Sequence, residues 1–226
     1  MNVNVAEGLS RLAVRLGGEG ARLADAGRLS GGASMETWAF AIEAAGGRED
    51  LILRRRAGAF DPDNARSVSL ATEAALIRAT RANGALAPSV RHLCDEADGL
   101  GEAYVMARVE GETLGKRIVG DPRFDAVRPR LARQCGEALA PIHATPPPPD
   151  INLKTIDALG ELDRYEEVYR ATGALRPILE LAFQYLRERA PEPVAPTLLH
   201  GDFRNGNIMF GPQEGVVAVL EWELSH

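Results

Sequence analysis

The chain has few of the features that would place it outside a reducing compartment. Of its 226 residues only two are cysteines, Cys94 and Cys135. They stand far apart in unrelated contexts, so neither a disulfide framework nor a zinc-ligand spacing is present. Nothing before residue 30 joins a basic head to an apolar core, so no secretory leader is expected. No apolar run approaches the ~20 residues that a membrane span needs. A formal net charge of -6 argues against a general nucleic-acid or anionic-membrane surface. Aromatic residues are scarce at 5%, but 45% hydrophobic and 26% charged residues suffice for a globular protein with a real core. The expectation is a cytoplasmic protein with no nucleic-acid or membrane partner. Its oligomeric state leaves no mark in the sequence.

The hydropathy pattern then divides the chain in two. Residues 5–16, VAEGLSRLAVRL, carry Leu9, Leu12, Val14 and Leu16 at helical spacing and end at Gly17-Gly18. From about 22 to 56 the period becomes two: ETWAFAIEAA and DLILRRR read as strands around a Gly46-Gly47 turn, with a further strand before Gly31. Asp61-Pro62 offers a cap and first-turn proline for a helix reaching about Asn83. SVRHLCDEA and EAYVMARVE, joined by DGLG, complete an antiparallel five-stranded sheet. Beyond it, Phe124, Val127, Leu131, Cys135, Leu139 and Ile142 fall on one face of a single helix. A stiff PPPPD connector and two amphipathic helices, at about 155–171 and 174–189, follow.

The stretch LLHGDFRNGNIMF, residues 198–210, sets polar residues in a tight loop between apolar ends. Leu198-Leu199 reads as a strand end, and NIMF, GPQEG and VVAVLEW as a hairpin. Loops fixed in this way often carry chemistry. Phosphoryl transfer needs a carboxylate at the acceptor hydroxyl and oxygen ligands for magnesium. Asp202 suits the first task, and Asn207 with Glu221 on the neighbouring hairpin strand suits the second. The plainer alternative is a set of turn-forming residues.

HGDFRNGN matches the H-G-D-x-x-x-x-N catalytic loop of the aminoglycoside phosphotransferase-like family, relatives of the protein kinases. The resemblance spans about residues 20–226 and implies an α+β, two-lobed, protein-kinase-like fold. Residues 1–106 would form a nucleotide-binding lobe of five antiparallel strands plus a helix, and 107–226 a mainly helical lobe holding the catalytic loop. By the same resemblance Asp202 is the catalytic base, Asn207 a magnesium ligand and His200 a structural brace, while Glu221 stands where the family has its second, aspartate ligand. Gly31, Gly32 and Ser34 resemble the loop that covers phosphates, although a Gly-Gly pair between strands is also an ordinary hairpin turn. Arg54 in LILRRR occupies the place of the phosphate-pairing lysine, with Glu73 as its partner; Arg55 and Arg56 read as a solvated strand end. Met106, Ala107, Arg108 and Val109 resemble the segment that receives adenine. LSGGASMETW, LRRR and LEWELSH resemble most the kinase-like domains fused to acyl-CoA dehydrogenases.

The implied activity is ATP- and Mg-dependent phosphoryl transfer to a hydroxyl of a small molecule. Activation-segment and A-P-E signals are lacking, which sets it apart from protein kinases. Two departures favour the alternative, a nucleotide-binding pseudoenzyme or inactive truncated fragment. The family writes Asp where this chain has Glu221, and family members continue with further helices past the position of His226. His92, His143 and His226 lack metal-ligand spacing and are given no role.

Overall fold

The computed structural model describes residues 4–29, 35–58, 60 and 67–226. Helix α1 (Val5–Gly17) starts at Asn4, whose side chain accepts the Glu7 N–H, and it buries Leu9 and Leu12 completely. Strands β1 (Arg22–Arg28), β2 (Met35–Ala44) and β3 (Gly47–Arg56) run antiparallel, with Ala44 opposite Gly47 at the β2–β3 turn. Gly47 has a φ of 114°, open to glycine alone at little cost. With β4 (Val90–Leu93) and β5 (Ala103–Ala107) the sheet order is β1-β2-β3-β5-β4. The five-stranded antiparallel sheet of the sequence reading is therefore present.

The period of two in LILRRR decides what each sheet face carries. Leu51 and Leu53 join Phe40, Ile42 and Val105 in a core under α1. Arg54, pointing the other way, pairs across strands with Tyr104 on the face covered by helix α2 (Leu70–Ala82). Helix α2 begins at the Ser69 cap, later than the expected Asp61-Pro62 start; residues 61–66 lie outside the described residues. The side chain of Ser69 accepts from Thr72 N, so a genuine N-cap stood further along the sequence.

The expected single helix over Phe124–Ile142 is also corrected. Two short 3-10 turns, Pro122–Phe124 and Arg128–Arg130, precede helix α4 (Leu131–His143), and a short α3 (Gly115–Gly120) comes before them. Pro122 and Pro129 each sit inside a 3-10 turn, where the missing N–H is harmless, but a long helix through Pro129 would lose a bond. The apolar residues still meet: Phe124, Val127 and Ile142 are buried with α2, β5 and the C-terminal hairpin in one second core. Helices α5 (Ala158–Ala171) and α6 (Pro177–Glu188) pack through Tyr169 and Phe183, leaving Ile178 and Leu181 exposed. Strands β6 (Ile208–Gly211) and β7 (Gly215–Val219) form the hairpin. Among the described residues no helix is long and apolar enough to cross a membrane.

Two further readings change. His92 is not isolated: its Nε2 lies 2.8 Å from Asp98 Oδ2, with Cys94 in the same cluster. Asp98 already accepts from Arg15 and from the Asp95 N–H, so the cluster works as a latch between α1 and the β4–β5 loop. Arg55 and Arg56 are not solvated. Arg55 is buried, donating to Leu100 O and to Glu36 at 2.7 Å, and Arg56 donates to Glu102 at 2.9 Å. Their alkyl stems cover the sheet while partners satisfy the head groups.

A solvated arginine would change stability on truncation by no more than about 0.5 kcal/mol. Arg55→Ala strands the buried Leu100 carbonyl and the Glu36 carboxylate, so the expected loss is about 1–3 kcal/mol. Urea unfolding of the two forms measures it, and a loss below about 0.5 kcal/mol contradicts the burial argument.

Candidate active site

The H-G-D-x-x-x-x-N loop is pinned at its entrance by a two-way backbone bond. Leu199 N–H donates to His226 O at 2.8 Å and His226 N–H returns the bond to Leu199 at 3.2 Å. Leu198-Leu199 is thus an extended segment paired with the chain end, and not the expected strand of a sheet. Gly201 follows with a φ of 80°, and a Cβ there would come within 2.0 Å of Leu224 O. Only glycine allows the turn.

His200 holds the loop to the hairpin exit. Its Nδ1 accepts the Asp202 N–H at 3.2 Å, so the ring proton belongs on Nε2, which donates to Leu220 O at 2.9 Å. The ring stacks edge-on against buried Trp222 at 4.9 Å between centroids. Burial lowers the His200 pKa below its ordinary value, with the Leu220 carbonyl opposing. A neutral imidazole that both accepts and donates is a brace, with no lone pair left for proton transfer.

Asp202 and Asn207 form one unit. Asn207 is 3% exposed, and its Nδ2 donates to Asp202 Oδ2 at 2.7 Å and to Asp202 O at 3.0 Å. Both acceptors are oxygens, which fixes the amide orientation and leaves Oδ1 as a donor atom for a cation. Leu220 N–H donates to Asn207 O at 2.7 Å, so Glu221 enters directly beside this unit. Glu221 lies two residues beyond β7, not on the strand as expected, and has a φ of 61°. That left-handed conformation suits Asp or Asn better than Glu.

Arg54 sits at the centre of a buried charge cluster. Its Nε donates to Glu73 at 3.2 Å, Nη1 to Glu221 at 3.1 Å and Nη2 to Glu223 at 2.6 Å. Burial opposes its charge, yet Glu73, together with Tyr104, Glu221 and Glu223, outweighs that and raises its pKa. Burial pushes the Glu73 carboxyl upward while Arg54 and the Trp222 N–H pull it back. Three donors aim at Glu73: Arg54 Nε, Tyr104 OH at 3.2 Å and Trp222 N–H at 3.0 Å. A carboxyl surrounded by donors alone is ionised, so we take the pair as charged. The expected Arg54–Glu73 contact is present, but the guanidinium is closed in by carboxylates instead of facing an open cleft.

The remaining expected residues are less concentrated. Gly31, Gly32 and Ser34 lie outside the described residues. Met106 pairs with Ile52 and Val90 inside the sheet. The N–H groups of Ala107 and Arg108 already donate to Ser89 O and Asp50 O, at 2.9 and 3.0 Å. Val109 follows outside the strand, and a bridge between Glu112 and Phe210 ties this segment to the β6–β7 hairpin. The sequence reading missed Glu223, Tyr104, Trp222 and Arg204. The spacing of E-x-E in LEWE could have pointed to Glu223 as a second carboxylate on the same side.

Magnesium takes hard oxygen donors and keeps waters. Asn207 Oδ1 and the Glu221 carboxylate, whose side chain is 43% exposed, are such donors, so the residues present fit that ion.

A model of the phosphotransferase enzyme family, APH, matches residues 25–226. The chain belongs to this family. It is 27% identical over 190 residues to acyl-CoA dehydrogenase family member 10 of Mus musculus, covering 77% of this chain and 17% of that one. It is 31% identical over 149 residues to acyl-CoA dehydrogenase family member 11 of Gallus gallus, covering 58% and 18%. The chain therefore spans less than a fifth of the length of these relatives. A crystal structure assigned as an aminoglycoside phosphotransferase, from Ralstonia eutropha, superposes with a TM-score of 0.72 at 23% identity, covering 97% of this chain and 64% of that one. The kinase-like α+β fold is thereby shown.

His200 supplies a pH test. Its folded pKa lies below the unfolded value of about 6.5, so below that pH the unfolded chain takes up the proton first. Its contribution to stability is complete above about 6.5 and is lost as the pH falls toward the folded pKa. Urea midpoints at pH 7.5 and 5.5 should show a drop that shrinks in His200→Asn. An equal drop in both forms would place the titration elsewhere.

Proposed function

We propose that the chain transfers the γ-phosphoryl group of ATP to a hydroxyl group of a small molecule in the cytoplasm. Residues 1–106 act as the nucleotide lobe and 107–226 as the catalytic lobe. The observation that carries this reading is the fixed Asp202–Asn207 unit, braced by His200 and adjoining Glu221. A carboxylate has about four acceptor sites. Asn207 and Arg204 together use three of them on Asp202, leaving one for an acceptor hydroxyl. Asp202 orients that hydroxyl and takes its proton as the oxygen attacks. Asn207 and Glu221 would hold magnesium, which when bound neutralises charge on the nucleotide phosphates. The chain's kinship with parts of acyl-CoA dehydrogenase family members lends no support to dehydrogenase chemistry, because it spans so little of them.

The test is ATP consumption across a panel of aminoglycosides, sugars, amino alcohols and hydroxyacyl thioesters. With the substrate so found, Asp202→Asn should lower kcat by about 100-fold or more while leaving ATP affinity nearly unchanged. An unchanged kcat removes Asp202 from its role.

One observation favours the second reading, a nucleotide-binding protein without turnover. Glu221, at the metal position, is bonded to Arg54 and held in a left-handed backbone conformation. Aspartate would ease that conformation and draw the carboxylate back from Arg54. Glu221→Asp should therefore raise magnesium-supported ADP affinity several-fold, with wild type preferring manganese, which tolerates looser geometry. Titration of ADP against magnesium in both forms decides it. Equal or weaker binding by the Asp form shows that Glu221 is already well placed.

A further inference from the structure

Arg54 is poorly placed to serve as the cation for the transferring phosphoryl group. It is 3% exposed, and each of its three nitrogens is bonded to a different glutamate. A phosphate could reach it only by displacing Glu221 or Glu223.

A second guanidinium stands at the other side of the same centre. Arg204 Nε lies 3.0 Å from Asp202 Oδ1 and 3.2 Å from Oδ2, and its Nη1 donates to Asn205 O at 3.0 Å. Its side chain is 62% exposed, and Nη2 has no bond among the described residues. Gly206 has a φ of 103°, and a Cβ there would approach Arg204 Nη1 to 2.9 Å. The positive φ is what requires glycine at that place, and the exposed guanidinium lies close beside it.

We infer that Arg204 is a catalytic residue that binds the transferring phosphoryl group during its passage to the acceptor. The inference rests on the proposed role of Asp202. When a hydroxyl is bonded to Asp202, the phosphorus it attacks is about 3–3.5 Å from that oxygen. A guanidinium within hydrogen-bond reach of the Asp202 carboxylate is therefore within reach of the equatorial phosphoryl oxygens. The acceptor's O–H proton passes to Asp202, its oxygen bonds to the γ-phosphorus, and the bond from that phosphorus to the bridging oxygen breaks. ADP leaves with the electron pair. Arg204 exchanges no proton; its fixed charge and planar donors meet the oxygens where negative charge is spread. Phosphoryl transfer needs such a cation, and the free N–H groups of Arg204 can supply it.

The inference separates ground-state from transition-state binding. Aluminium fluoride with ADP and magnesium mimics the transferring group, so its tightening of ADP binding reports the site directly. In wild type that tightening should be present. Arg204→Ala should reduce it by about 10-fold or more, with ADP affinity changed less than about twofold and thermal midpoint unchanged. Arg204→Lys should restore part of it, since the charge returns without the fork. An equal loss for ADP with and without aluminium fluoride, or undiminished tightening in Arg204→Ala, overturns this role and leaves the phosphotransferase reading standing. Absence of ADP binding in wild type with magnesium overturns both.

Discussion

The ion pair between Arg54 and Glu73 holds the site to the sheet. Both side chains are almost fully buried, and they join β3 to α2. Glu73 then reaches across to Trp222 N–H, which fixes the chain just after Glu221. Arg54 fixes Glu221 and Glu223 from the other side. The hairpin exit is thus positioned by the sheet, and through His200 and Leu220 it positions Asp202. Such a pair is a weak source of net stability, since desolvation offsets most of its attraction. Its effect is one of geometry. Removing Arg54 would leave the Glu73 charge without a counter-charge in the core, which restricts the arrangement to one register.

The parts of the fold that were legible in the sequence are those where periodicity and local chemistry agree. The strands ETWAFAIEAA and DLILRRR alternate cleanly, and the glycine turn between them matches observed β2 and β3. The H-G-D-x-x-x-x-N spacing brings Asp202 against Asn207, because both ends of the loop are anchored. Less legible was the start of α2, where Asp61-Pro62 and Ser69 compete as caps and only tertiary packing chooses. The run from Phe124 to Ile142 has helical periodicity, but prolines break it into turns that keep the same residues buried.

Charge was the least legible property. Arg55 and Arg56 at the end of a strand read as solvent-facing, yet each of the three arginines alternates onto a face with its own carboxylate: Glu73, Glu36 and Glu102. No local pattern announces those partners, which come from 19 to 46 residues away along the chain. Arginine supplies enough apolar stem to be buried and enough donors to be satisfied there. In LILRRR, therefore, composition suggested a surface where the structure builds an interior.

The charge balance around Arg54 bears directly on the proposed divalent cation. Glu73, Glu221 and Glu223 bring three carboxylates to one guanidinium, an excess of two negative charges. Glu73 is fully enclosed and cannot shed its charge to solvent, whereas the side chains of Glu221 and Glu223 are 43% and 26% exposed. The surplus therefore lies on the cleft side, next to Asn207 Oδ1, where an ion of charge two would balance it. Arg54 at present shares that load, which draws Glu221 toward the sheet. Under the proposed function, a nucleotide arriving with magnesium would bring both a cation for Glu221 and the anion that the carboxylates would otherwise repel. On that reading the metal would bind first or together with the nucleotide, because phosphate alone would meet uncompensated carboxylates.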